Sequence, residues 1–543
     1  MNEEITHQVI QSCIFQGTKE FIICAGSRNS SFVQALRLQD DIKTYYWPEE
    51  RSAAFFALGR SKLTERPVAV VTTSGTAAAE LLPAAMEAFY SGIPLILITA
   101  DRPPIFRGSG APQSAEQVGL FGTYVQFCLD ISTSEPLRLE KWQQKIPVHL
   151  NVCLEEPQAQ PKFIGKPFFA GPEGKRKEFR ENDVGAQETL NLFLNEVENP
   201  LAIVSTLNGT AKEEVVKLLL SLEMPVMLEA ISGLREDPRL QHLSIHHTDN
   251  VLETAKEAGY PVDGILRIGG VPTHRIWRDL EYLESVIKVC VLSEQPFSGL
   301  SWARSIPVST LENCFNLLPS TAVFRFKIQK ARNWLEKEKE FKEQLIELFT
   351  EEKEAEPSLM HTLSMLIPQR SHIYLGNSLP IRQWDMAAIR DEREWIINAN
   401  RGVNGIDGQI STFLGLCQRK WDNWGIFGDL TTLYDMVGMW ILPQLTEVPV
   451  KIVVINNGGG KIFERMYPYK EMLNEHRLSF RSLAEMWSMN YLNLQELDAT
   501  SHSIEMAALD DKLLLEIIPD PLATSRFWSK YAKLGQKQNA RMT

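Results

Sequence analysis

The stretch VKIVVINNGGGKIF, residues 450–463, decides the fold. A run of Val and Ile carrying one Lys reads as a strand buried on both faces, and it stops at Asn456, Asn457 and three glycines. Upstream, WGIFGDLTTLYDM (424–436) repeats the plan, with an apolar run ending at Gly428 and Asp429. In a parallel sheet both turns fall on the carboxyl edge of the strands, where ligands of open α/β sheets bind. An Asp carboxylate, an Asn amide oxygen and a backbone carbonyl are hard donors of the kind Mg²⁺ takes when phosphate and water fill its other positions. Glycines let the backbone approach a diphosphate and offer N–H groups to it. Gly-Asp and Asn-Gly are also common turn formers, so the residues alone say no more than a metal diphosphate.

Outward from this pair, the last third continues as HIYLGNS (372–378), EWIINAN (394–400) and KLLLEIIP (512–519), short apolar strands between helical patterns. The first third has FIICAG (21–26), VAVVTTSG (68–75) and PLILITADRP (94–103). A middle group has LAIVSTLNG (201–209), PVMLEA (225–230), GILRIGG (264–270) and VIKVCVLSE (286–294). This alternation predicts an α/β protein of three doubly wound parallel-sheet domains, at residues 1–175, 190–340 and 355–543. The polar, Gly-rich stretch 166–190 reads as a linker, and 328–357 as a solvated helix whose charge run needs no functional explanation.

The bulk numbers agree with a globular chain of several domains: 543 residues, 44% hydrophobic and 23% charged. A net charge of −12 without a basic stripe excludes a nucleic-acid footprint, so anionic ligands have to be met by local arginines. Seven scattered cysteines without a CxxC pair read as buried thiols in a reducing compartment. The N-terminus lacks a signal-peptide pattern and the longest apolar runs have strand length, which predicts a cytoplasmic protein without membrane insertion. In SIHHTDN (244–250) the adjacent His246 and His247 lack distant partners at metal-ligand spacing, and read as solvent-facing or hydrogen-bonded.

One further stretch raises a question. In YYWPEERSAAFFALG (45–59), Pro48, Glu49 and Glu50 precede a small apolar helix, and taken alone the two acids only offset the helix dipole. Here a resemblance enters. A Gly-Asp pair followed 28 residues after its Asp by the second Asn of an Asn-Asn pair resembles the cofactor motif of thiamine-diphosphate-dependent enzymes. Their usual Gly after the Asp is Leu430 here. With GDLTTLYD, NRGVNGIDG (400–408), GNSLPIR (376–382), CAGSRNS (24–30), EERSAAFFALG (49–59) and the stretch 73–104, the chain resembles the 2-succinyl-5-enolpyruvyl-6-hydroxy-3-cyclohexene-1-carboxylate synthase family of menaquinone biosynthesis.

The resemblance implies thiamine diphosphate held with Mg²⁺ or Mn²⁺ by Asp429, Asn457 and the Gly459 carbonyl, beside Gly428 and Leu430. It implies that Glu50 touches the aminopyrimidine ring and, by relaying a proton through it, activates the thiazolium carbon. Glu49 stays a helix-start acid. The substrates implied are 2-oxoglutarate and isochorismate, whose carboxylates call for guanidinium groups. Ser27, Arg28, Arg102 and Gln113 would bind isochorismate; Ser378, Arg382 and Arg401 would hold the 2-oxoglutarate fragment; Ile406, Ile462 and Phe463 would pack against cofactor and succinyl chain. The same likeness implies a homodimer or homotetramer, with Glu50 and the metal motif of one site coming from different subunits. VPTHRIW (271–277) departs from the family, which has Lys reaching isochorismate where this chain has His274, followed by Arg275. His274 replaces that Lys, Arg275 supplies the charge, or the two segments do not correspond.

Overall fold

The computed structural model describes residues 2–37, 39–156, 168–169, 184–303, 306–308, 311–318, 328–467, 469–494 and 511–534. They form three sheets, all parallel. The first contains β1 (Glu20–Cys24), β2 (Lys43–Trp47), β3 (Val68–Thr72), β4 (Leu95–Asp101), β5 (Cys128–Ile131) and β6 (Val148–Cys153), in the order β2-β1-β3-β4-β6-β5. The second contains β7 (Pro200–Val204), β8 (Val226–Leu228), β9 (Gly264–Ile268), β10 (Lys288–Ser293) and β11 (Ile306–Pro307), in the order β11-β10-β9-β7-β8. The third contains β12 (His372–Leu375), β13 (Ile396–Asn398), β14 (Asn423–Gly428), β15 (Val450–Ile455), β16 (Asn490–Asn493) and β17 (Lys512–Ile517), in the order β13-β12-β14-β15-β17-β16. Counted from its own first strand, the third sheet has the strand order of the first.

Central strands are buried throughout because helices cover both faces: all seven residues of β4 and all six of β15, Lys451 included, are buried. Each is a strand the sequence announced. Those it did not announce include the edge strands β2, β5 and β16, and β6, whose buried His149 and Asn151 break the apolar run. Of the expected linker 166–190, most lies outside the described residues, and its end forms the start of helix Val184–Glu196.

The reading of 328–357 as a solvated charge run is corrected. Helix Ile328–Glu351 buries Ala331, Trp334 and Phe341 along one face, and Glu338 among them. Burial raises the Glu338 carboxyl to about 7, against the pull of the His246 and His247 backbone N–H groups that donate to it. His246 is buried rather than solvent-facing, and His247 stacks on Phe341.

One core joins the first and third sheets. Helices Glu50–Thr64 and Gln409–Leu416 cross with their backbones touching, which only glycine permits. A Cβ on Gly59 would overlap the Thr412 carbonyl oxygen, and one on Gly415 would overlap that of Phe56. Six of the seven cysteines are buried, Cys128 is half-buried, and all are free. No helix among the described residues is long and apolar enough to cross a membrane.

Candidate active site

At the carboxyl edge of the first sheet, the turn after β2 delivers Glu49 and Glu50 to the start of helix Glu50–Thr64. Glu49 is the N-cap: its carboxylate accepts from the backbone N–H groups of Arg51 and Ser52 at 3.0 and 2.9 Å. That frees Glu50, which faces a cavity of about 770 Å³ also lined by Thr73, Gly75, Glu80 and Gln113. Partial burial raises the Glu50 pKa, and the charges of Glu49 and Glu80 add to the effect. A carboxyl so placed holds a proton more readily than one in water. Val437, from the last third of the chain, closes one side of the cavity.

Two groups that sequence reasoning missed fix these pieces. Gln117, buried, accepts from the Gly75 N–H at 2.8 Å and donates to Asn151 at 2.9 Å, anchoring the turn after β3. Asp435, fully buried, accepts from Ser52 Oγ, Ser411 Oγ and the Ser411 N–H, so it ties the start of the Glu50 helix to the third sheet's helix. Burial raises Asp435 to about 7 in spite of those donors. Gln117 lies in none of the quoted motifs, and Asp435 ends GDLTTLYD, where sequence alone assigned it no role; only the fold shows their partners.

At the carboxyl edge of the third sheet, Asp429 follows β14 and the Asn-Gly run follows β15. Asp429 Oδ2 accepts from the Gly458 and Gly459 N–H groups at 2.8 and 2.9 Å, and Oδ1 from Leu430 N. His476 Nε2 stands 3.2 Å from Oδ2. Burial is the main cause that raises the Asp429 pKa. Gly459 has φ 141°, and a Cβ there would sit 2.5 Å from the Leu473 carbonyl oxygen, so glycine is required.

Asn457 donates its amide to both oxygens of Glu356, at 3.2 and 3.1 Å, while its Oδ1 is buried without a hydrogen-bond partner. Glu356, 4% exposed at the start of helix Glu356–Leu366, thus belongs to the site and not to the solvated run in which the sequence placed it. Burial lifts its carboxyl to about 7. A buried amide oxygen with no partner costs on the order of 1–3 kcal/mol unless something else meets it. Beside a carboxylate and a backbone carbonyl, a divalent cation is the group these oxygens fit.

A third group gathers at the ends of β12 and β13. Arg401 donates to Asn377 Oδ1 at 2.8 Å and keeps a buried Nε without a partner. Arg382 donates to the Ser378 carbonyl at 2.5 Å. Ser378 starts helix Leu379–Ala387 at φ 75°, a strained conformation for a residue with a side chain. Desolvation lowers both arginine pKa values, and the like charge of Arg401 lowers that of Arg382 further. Glu87, buried in the first unit, accepts from Gly402 and Val403 N–H at 2.8 Å and holds the Arg401 loop.

The remaining expected residues are less gathered. Arg28 is buried and spends its guanidinium on the Leu154 carbonyl and Glu156, while Ser27 beside it is exposed. Arg102 lies over the Phe106 ring at 5.2 Å with a buried, unpartnered Nε. Gln113 is exposed at the cavity mouth with φ 55°. Ile406 and Ile462 are half-buried and Phe463 is 36% exposed. Arg275 is exposed and paired with Asp279, whereas the His274 side chain is buried between Glu229 and Asp385. No hydrogen bond or ion pair among the described residues connects Glu50 with Asp429 or Asn457.

Residues 4–120 match the family model described as thiamine pyrophosphate enzyme, N-terminal TPP binding domain. A 2-succinyl-5-enolpyruvyl-6-hydroxy-3-cyclohexene-1-carboxylate synthase of Bdellovibrio bacteriovorus is 39% identical over 532 residues, 98% of each chain. The chain belongs to this synthase family. The synthases of Akkermansia muciniphila, 36% identical over 94% of this chain and 95% of theirs, and Bacillus velezensis, 32% over 85% and 84%, extend the likeness. As a member of the synthase family the protein is an enzyme that depends on thiamine diphosphate and acts in menaquinone biosynthesis. The three parallel sheets are those expected of such a fold.

Proposed function

We propose that this synthase decarboxylates 2-oxoglutarate and adds the remaining four-carbon unit to isochorismate, and that the three side-chain groups above divide the work. The observation that carries the reading is the Asn457 amide: Glu356 takes its N–H groups and leaves Oδ1 buried without a partner, one residue before the Gly458 and Gly459 N–H groups that Asp429 accepts from. Asp429, Asn457 Oδ1 and the Gly459 carbonyl would hold Mg²⁺ or Mn²⁺ on the cofactor diphosphate, with Gly428 and Leu430 alongside. Thiamine diphosphate supplies, when bound, a carbon nucleophile and a sink for the electrons released with CO₂.

The chain does the rest. Glu50, its carboxyl pKa raised by burial, would hold a proton against a ring nitrogen of the cofactor. Arg382 and Arg401, with Ser378, would clamp the 2-oxoglutarate carboxylates; the free Nε of Arg401 is a donor awaiting an acceptor. Ser27, Arg28, Arg102 and Gln113 would meet isochorismate, and Arg102 too keeps an unpartnered Nε. Ile406, Ile462 and Phe463 would form the apolar wall that excludes water.

The same reading takes the domains as residues 1–175, 190–340 and 355–543, a cytoplasmic location, and a homodimer or homotetramer. Purified protein with thiamine diphosphate, Mg²⁺, 2-oxoglutarate and isochorismate should consume isochorismate, by absorbance, and yield the succinylated mass. Release of CO₂ without that adduct would replace the reading with a related 2-oxo acid decarboxylase.

A further inference from the structure

Glu229 follows β8 and His274 lies in the loop after β9, both at the carboxyl edge of the middle sheet, while Asp385 projects from helix Leu379–Ala387 of the third unit. Their ligating atoms all lie within 4.8 Å of one another, with His274 Nε2 at 3.9 Å from Glu229 Oε1 and 3.8 Å from Asp385 Oδ2. The three side chains are 0, 7 and 2% exposed. Each carboxylate is held by one oxygen: Glu229 Oε1 accepts from Thr273 and His274 N–H, and Asp385 Oδ1 from Ala230 N–H. The other oxygens, Glu229 Oε2 and Asp385 Oδ2, are buried without a hydrogen-bond partner.

The nearby arginines direct their hydrogen bonds elsewhere. Arg235 directs its donors to Glu236 and to the carbonyls of Asp385, Ala388 and Ile389. Arg382 donates to Ser378 and Arg401 to Asn377. Two buried carboxylates facing an imidazole form a donor set that one divalent ion satisfies, and burying carboxylate oxygens without a hydrogen-bond partner is costly. Tetrahedral ligands on bonds of about 2.0 Å stand roughly 3.3 Å apart, so atoms now within 4.8 Å of one another close the set by approaching by about half to one and a half ångströms.

We infer that Glu229, His274 and Asp385 form a second metal site, for a Zn²⁺-type dication, pinning the middle sheet to the helix that bears Arg382. The donor set separates it from the Asp429 site: that one is all oxygen, as Mg²⁺ prefers, and this one includes an imidazole, which favours a transition ion. The role is one of positioning, since the ion would fix helix Leu379–Ala387 without touching the reacting atoms.

The test loads cofactor-free protein with Zn²⁺ in excess Mg²⁺, removes unbound metal by gel filtration and counts zinc by mass spectrometry. About one Zn²⁺ per chain is expected in the wild type and in Asp429→Asn, and none in His274→Ala or Asp385→Asn. Zinc should also raise the melting temperature of the wild type but not of His274→Gln, a milder change that keeps the side chain polar. Co²⁺ in place of Zn²⁺ should give a visible d–d band in the wild type, a readout that needs no variant. A folded wild type that keeps no zinc and shows no band, or equal zinc in the His274 variants, would overturn the site.

Discussion

Glu50 and Glu49 are adjacent acids with opposite duties, and backbone geometry alone separates them. Glu49 turns back onto the helix N–H groups; Glu50 is left to the cavity. Glu50→Gln keeps the shape and loses the transferable proton. Calorimetry should show cofactor binding retained, while exchange of the cofactor's C2 proton, followed by NMR, falls by about two orders of magnitude or more. Unchanged exchange would remove Glu50 from the chemistry. The proposed metal donors could be named from sequence because their spacing lies in two adjacent strand ends of one sheet. Glu356 was not, since it reaches Asn457 across 101 residues of sequence and sits in a charge-rich run that hides it. Glu229, His274 and Asp385 were illegible for the same reason: three segments supply one atom each.

Buried carboxyls also set the pH response. Glu338, Glu356 and Asp435 all rise to about 7, each chiefly through burial. Such groups bind more protons folded than unfolded between about pH 4 and pH 7, so the stability they contribute is full at the acid end and is lost as pH climbs through 7. Cofactor-free protein should therefore unfold at lower urea at about pH 8 than at about pH 5.5. The opposite order would show that these groups ionise freely in the fold.

At the scale of elements, sequence alternation revealed the central strands because burial on both faces writes a continuous apolar run. Edge strands β2, β5 and β16 are covered less and carry mixed residues, so nothing in their pattern sets them apart from loop. The crossing of helices Glu50–Thr64 and Gln409–Leu416 was likewise invisible, though Gly59 and Gly415 carry it. Gly59→Ala forces a methyl onto the Thr412 carbonyl and should cost roughly 1–3 kcal/mol, read as a lower urea midpoint. An unchanged midpoint would mean the helices separate freely.

At the scale of the whole molecule, the proposed assembly puts Glu50 of one chain beside Asp429 of its partner. Glu50→Gln and Asp429→Asn would each be inactive alone. Refolded together, they should regain about a quarter of wild-type activity, because half the dimers are mixed and each mixed dimer has one intact site of two. No recovery, with mixed dimers shown by native mass spectrometry, would put the whole site within one chain.

The helix crossing also has a symmetry of its own. Gly59 faces the residue three before Gly415, and Gly415 faces the residue three before Gly59, in helices that occupy the same place in two sheets of identical strand order. That reciprocity is the signature of a dyad, normally found between two copies of one subunit. The first and last thirds thus meet across a pseudo-dyad inside one polypeptide, a geometry that two copies of a subunit would otherwise supply.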